Sequence, residues 1–223
     1  MIKSRVLLAG ALLAAAGAAN AGISVPITLT SDYDFRGFTQ TDEDPAIQAG
    51  LTWTLDSGFY MGVWGSNVDF PGADPEIEID AFVGFAGGDA AEGIGFDVGA
   101  IIYTYPDSDD FEEVIELYAG LTHSWFGGKL WFSPDNYGDT SWYVEGNAAI
   151  PLPAGFSIPL HVGYSFGDYW DNAGSDYLDY SVGVAYTFQN FGLNLKWVDT
   201  DISGADMDRV IFTVSTTLPW AKE

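Results

Sequence analysis

Charged side chains recur at every second position in several stretches of this chain of 223 residues. Asp32, Asp34 and Arg36 form one such set, and Glu76, Glu78 and Asp80 another. Glu112 and Glu116 share a parity, and Asp97, Glu145, His161, Asp179 and Lys196 sit among small or polar residues at the same spacing. Lys129 follows with a less definite parity. In extended backbone, side chains alternate between faces, so each set gathers on one side of a sheet. Carboxylates gathered this way attract cations and repel anions. That is electrostatic work, with no bond made or broken.

Catalytic and cofactor chemistry finds less support. His123 and His161 are the only histidines, and no G-x-S-x-G nucleophile signature occurs. A Ser–His–Asp set assembled from distant positions stays open. Neighbouring carboxylates such as Glu76 and Glu78 are abundant by composition and carry little weight for glycosidase chemistry. The glycines of 84–88 come without a lysine and read as turns. The absence of cysteine removes disulfides, thiolate zinc sites, iron–sulfur clusters and cysteine nucleophiles together. The expectation is no enzyme and no cofactor. Asp199-x-Asp201-x-Ser203-Gly204 opens like an EF-hand loop, but its twelfth position is Val210 and no helices flank it. Loose cation binding by Asp107, Asp109, Asp110, Asp199, Asp201, Asp206 and Asp208, bridging to lipopolysaccharide phosphates, is a weaker alternative to a solvated acidic surface.

Charge and composition bound the partners. Seven Lys and Arg stand against 32 Asp and Glu, a net charge of −25, which repels a phosphate backbone and excludes nucleic acid. Chains this acidic can be disordered, yet 16% aromatic content argues for burial. Lys3 and Arg5 precede an apolar run, 6–16, that closes on Ala19-Asn20-Ala21. That pattern predicts a secretory signal peptide over 1–21, with the mature domain over 22–223.

What positions the charges is a set of strands. Ile77, Ile79, Ala81, Val83 and Phe85 alternate with polar or small partners, as do Leu178, Tyr180, Val182, Val184, Tyr186 and Phe188. Period two predicts twelve strands, roughly 23–36, 45–55, 58–68, 76–86, 92–104, 111–122, 129–132, 140–150, 156–166, 177–188, 191–198 and 209–218. In an up-and-down meander, every other connection lies at the same end. One set of connections carries 17 acidic residues and the other carries two, so one rim is strongly acidic.

A soluble sandwich alternates with its apolar face inside; a membrane barrel turns that face to lipid. Aromatics at strand ends (Tyr33, Phe35, Tyr60, Tyr103, Tyr105, Trp131, Phe132, Trp142, Phe166 and Phe188 among them) match interfacial girdles. Strands of about 9–11 residues suffice to cross a tilted bilayer. The fold expected is therefore all-β, a transmembrane antiparallel up-and-down barrel of about 12 strands. Pro26 and Pro159 fall inside strands, and Glu113 falls on the apolar parity.

Three segments carry a family resemblance. Ser31-Asp32-Tyr33-Asp34-Phe35-Arg36-Gly37-Phe38-Thr39-Gln40-Thr41, then residues 45–50, then residues 57–68, resemble the opening signature of the TorF family of bacterial outer-membrane proteins. The turn Trp131-Phe132-Ser133-Pro134-Asp135 is similar to a second family segment. The resemblance implies an outer-membrane barrel with a pore role, no known substrate and no catalytic residues.

The expected function is a passive diffusion channel for small solutes with cation preference, its lumen lined by the thirteen charged or ionisable residues first named and its outside in contact with outer-membrane lipid. The alternatives are a non-conducting outer-membrane or periplasmic barrel that binds a ligand or divalent cations, and a structural role. Short loops predict no inward-folding plug; only the segment before Thr28 is placed to enter the lumen.

Overall fold

The computed structural model describes residues 22–72, 75–106, 108 and 111–220. The expected signal peptide lies outside the described residues. Twelve antiparallel strands close into a barrel: β1 (Gly22–Thr30), β4 (Ala46–Thr54), β5 (Phe59–Asn67), β6 (Ile77–Gly88), β7 (Gly95–Thr104), β8 (Val114–His123), β9 (Phe126–Asn136), β10 (Asp139–Pro151), β11 (Phe156–Phe166), β12 (Tyr177–Phe188), β13 (Phe191–Thr200) and β14 (Arg209–Leu218). Each pairs with its chain neighbour, and β1 closes the ring against β14, Thr30 opposite Thr213 and Val25 opposite Leu218. Closure leaves no edge with unpaired backbone groups, the condition for a sheet in lipid. A separate two-stranded hairpin, β2 (Asp34–Phe35) and β3 (Phe38–Thr39), and a six-residue helix α1 (Asp168–Ala173) complete the described elements together with a 3-10 turn at Pro153–Gly155.

The apolar parity faces outward. On β6, Ile77, Ile79, Val83 and Phe85 are exposed while Glu78, Asp80 and Phe82 are buried inside. Aromatic stacks mark both ends of the outer surface. Near the long loops, Trp142 lies between Phe132 and Phe166, with centroids 4.3 and 6.3 Å away. Near the short turns, Phe156 stacks on Tyr186 and Phe85 on Phe96. Val98, Leu117, Val144, Val162 and Leu195 form the apolar band between. Two aromatic girdles around such a band are the surface of a membrane barrel.

Both prolines are accommodated on one side. Pro26 stays in register with Thr217 on β14, while the β1–β4 register skips it. Pro159 pairs with Ala149 on β10, and the β11–β12 register skips it. A missing N–H removes one ladder bond, so the strand loses a neighbour locally and keeps its place in the ring.

The sequence reading departs from the structure in four places. The first strand ends at Thr30 instead of running to 36. The seventh is a full strand, Phe126–Asn136, joined to β10 by the tight turn Tyr137-Gly138, whose glycine has φ of 93°. Glu113 precedes β8 and so burdens no lipid-facing position. Tyr33, Phe35, Tyr60, Tyr103, Tyr105 and Trp131 belong to no girdle: they point inward and pack as a buried aromatic cluster with Phe82, Tyr118 and Tyr143.

Candidate functional site: the barrel lumen

The largest correction concerns the plug. After Thr30 the chain turns into the barrel, and residues 31–41 fill part of it. Asp32 is 4% exposed, and Gln40 and Thr41 are fully buried. The segment is braced internally: the Asp32 carboxylate accepts from the Thr39 and Thr41 hydroxyls, and the Gln40 amide donates to the Tyr33 carbonyl. Its tip is the two-residue turn Arg36-Gly37, both with positive φ (48° and 86°), the backbone of a tight hairpin turn. A Cβ on Gly37 would collide with Thr200, so glycine answers both backbone and space there. Residues 22–27, which the sequence left free to enter the lumen, are instead wall, within β1.

The wall grips this hairpin from several strands. The Arg36 guanidinium makes a two-pronged pair with Glu116 on β8, both contacts 2.8 Å, and lies 4.1 Å from the Tyr143 ring centroid. Arg209 on β14 donates to Asp32 and Asp34, each at 2.7 Å, and to the Gly37 carbonyl at 3.1 Å. Lys196 on β13 pairs with Asp34 at 2.9 Å, and the Tyr177 hydroxyl donates to the Arg36 carbonyl. In the order of the ring β8 lies across from β14, so the tip spans the lumen. Burial and the neighbouring Glu78 and Asp80 push the Tyr33 hydroxyl of this segment well above its ordinary range.

Two further clusters line the wall. Towards the short turns, Asp97 accepts from Tyr60 and from Lys129, and Lys129 lies over the Tyr118 ring. These side chains enclose a cavity of about 20 Å³, room for about one water. On the other side, His161 bridges Asp179 and Asn147, each at 2.7 Å, Tyr143 donates to Asp179, and Trp131 and Asn147 donate to Glu145.

Most residues singled out from the sequence therefore meet inside the barrel. Asp97, Glu116, Glu145, His161, Asp179 and Lys196 line the wall with Glu78 and Asp80, while Asp32, Asp34 and Arg36 sit on the inserted hairpin instead of on a strand. Glu76 and Glu112 stand exposed in loops before β6 and β8, outside the lining. Arg209 was missed, although it shares a parity with Thr213 and Ser215 on the last strand, the one signal that places it inside. Of the rim candidates, Asp107, Asp109 and Asp110 lie outside the described residues. Asp199 and Asp208 accept from Tyr180 and Trp197, Asp201 from the Leu178 amide, and Asp206 is exposed. No group of three or more Asp, Glu or His suited to a metal occurs among the described residues.

The sequence matches a family described as "Bacterial protein of unknown function (Gcw_chp)" over residues 14–218. The chain belongs to that family. The match bears no TorF name, so that assignment stays a resemblance. No curated protein matches the sequence. Among solved structures, the KdgM porin superposes with a TM-score of 0.58 at 7% identity, covering 90% of this chain and 99% of that one. The NanC porin gives 0.54 at 8% identity over 88% and 98%. KdgM is also known in complex with disordered oligogalacturonate, with a TM-score of 0.52 to this chain. The fold is thus that of the small outer-membrane porins.

Proposed function

We propose that this protein is an outer-membrane channel for small solutes, with a preference for cations and a hairpin narrowing its loop end. The observation that carries this is the charge of the lumen. Asp32, Asp34, Glu78, Asp80, Asp97, Glu116, Glu145 and Asp179 face four basic residues, Arg36, Lys129, Lys196 and Arg209. Asp32, Asp34, Asp97 and Glu116 pair with the four cations and Glu78 and Asp80 are fully buried, so the acidic excess rests on Glu145 and Asp179, whose field low-dielectric walls strengthen. Oligogalacturonate, bound by the KdgM porin, is a polyanion; this lumen opposes such a solute. The wall of β11 to β14, β1 and β4 favours a passage, since many of its inward positions, such as Ser24, Thr28, Gln48, Ser181, Gly183, Asn194, Thr213 and Ser215, are small or polar, with Tyr177, Val198 and Ile211 the bulky ones at its loop end.

A second reading, a barrel that conducts nothing and serves a binding or structural role, draws on the hairpin itself. Ion pairs on three strands hold it across the lumen. Planar-bilayer recording of the folded barrel in a KCl gradient separates the two. Discrete steps with a cation-signed reversal potential support the channel. A heat-modifiable, folded barrel without steps overturns it in favour of the second reading.

A further inference from the structure

Every described Lys and Arg has a carboxylate partner: Arg36 has Glu116, Lys129 has Asp97, Lys196 has Asp34, and Arg209 has Asp32 and Asp34. Two buried acids are left with neither a basic side chain nor a hydrogen bond. Glu78 and Asp80 follow one another on the inner face of β6, both 0% exposed, and none of their four carboxyl oxygens has a hydrogen-bond partner among the described residues. The hydroxyls of Tyr33 and Tyr105, on residues 3% and 5% exposed, are likewise buried without a hydrogen bond of normal geometry, and both lie near enough to the Glu78 carboxyl to interact with it. Tyr33 comes from the inserted hairpin, its ring 5.5 Å from that of Trp64, which is the register partner of Asp80. Tyr105 follows β7 by one residue.

We propose that Glu78 and Asp80, with the Tyr33 and Tyr105 hydroxyls, form a site for one divalent cation of the Ca²⁺ type. The charge matches, since two carboxylates with no base require +2. Leaving them bare would cost several kcal/mol per ion. The donors match, since four carboxyl and two phenol oxygens make six, and Ca²⁺ takes about 6–8 oxygens with carboxylates bound singly or doubly. Mg²⁺ fits less well, because it keeps several waters and the two acids have no exposed surface. The site holds two carboxylates rather than three acidic or imidazole ligands, and the phenols complete it. Because Tyr33 belongs to the hairpin and the acids to the wall, the ion fastens one to the other. This site is independent of whether the barrel conducts.

The test is calcium content and thermal stability of the full chain, exported and purified from outer membranes, then dialysed with Ca²⁺ and washed. We expect about one Ca²⁺ per folded chain by mass spectrometry, lost in Glu78→Gln/Asp80→Asn and retained in the rim variant Asp199→Asn/Asp201→Asn. Chelation lowers the unfolding temperature of the wild type and leaves the Glu78→Gln/Asp80→Asn variant unmoved. Should that variant fail to fold, Tyr33→Phe/Tyr105→Phe keeps both charges and weakens retention by roughly tenfold, or about 1.4 kcal/mol. Folded wild type that holds no calcium, equal calcium in the acid variant, or unfolding insensitive to chelator overturns the site; the carboxyls then hold protons instead.

Discussion

Arg209, the first residue of the last strand, donates at 2.7 Å to Asp32, 177 positions earlier, in the segment that leaves the first strand. Both side chains are nearly enclosed, at 6% and 5% exposure. The pair joins the two strands that close the barrel to the hairpin that enters it. Removing one partner of a buried pair strands the other, at about 3–5 kcal/mol. Arg209→Met is therefore expected to release the hairpin while the ring of strands persists. Protease cleavage between residues 31 and 44 of the folded, heat-modifiable variant checks this; a segment as resistant as in the wild type would refute it.

Much of this architecture is legible in the sequence because a barrel in lipid repeats one rule. Apolar and polar residues alternate, and the structure places eleven of the twelve strands within a few residues of the pattern, from Ile77–Gly88 to Arg209–Leu218. The hairpin was not legible for the same reason. Asp32, Asp34 and Arg36 alternate as a strand would, and period two does not distinguish a wall strand from a short hairpin inside the wall. The available sign was Arg36-Gly37 between Phe35 and Phe38, a two-residue turn in an apolar setting. The inner aromatics were misplaced because a ring near a strand end satisfies either an interface or a packed lumen. Tyr103 alternates with Ile102 and Thr104, and parity relative to Glu116 decides its side only once the register Tyr103 opposite Val114 is known.

Apart from the buried Glu78 and Asp80, the lumen carboxylates without a Lys or Arg partner are Glu145 and Asp179, and their field is the one a passing cation would feel. A unit charge at about 4 Å in water is worth about 1 kcal/mol, roughly a fivefold local enrichment. Glu145→Gln and Asp179→Asn are each expected to lower the cation-to-anion permeability ratio by up to about that factor, read from reversal potentials. Unchanged reversal potentials in both variants would place selectivity elsewhere.

The inner aromatics lie over glycines. A Cβ at Gly84 would collide with the Tyr60 ring and hydroxyl, and one at Gly99 with Tyr118. Those two hydroxyls are bonded to each other at 2.6 Å, and Tyr60 also donates to Asp97. Gly84→Ala and Gly99→Ala are expected to lose about 1–3 kcal/mol through overpacking. Chemical unfolding in lipid vesicles measures this, and stability equal to wild type would mean the rings move aside freely.

The outward orientation of the apolar face carries the membrane assignment, and a charge tests it most directly. Leu117 on β8 and Val144 on β10 lie within the outer band, 49% and 43% exposed. An arginine near the midplane of a lipid-facing strand costs about 2–4 kcal/mol. Ser181 on β12 faces the lumen instead, on the parity of Asp179. Leu117→Arg and Val144→Arg are thus expected to destabilise the barrel in lipid bilayers by that amount, and Ser181→Arg by much less. In a soluble barrel with a water-facing exterior the order would reverse, because the exposed positions would accept arginine freely and the enclosed one would not.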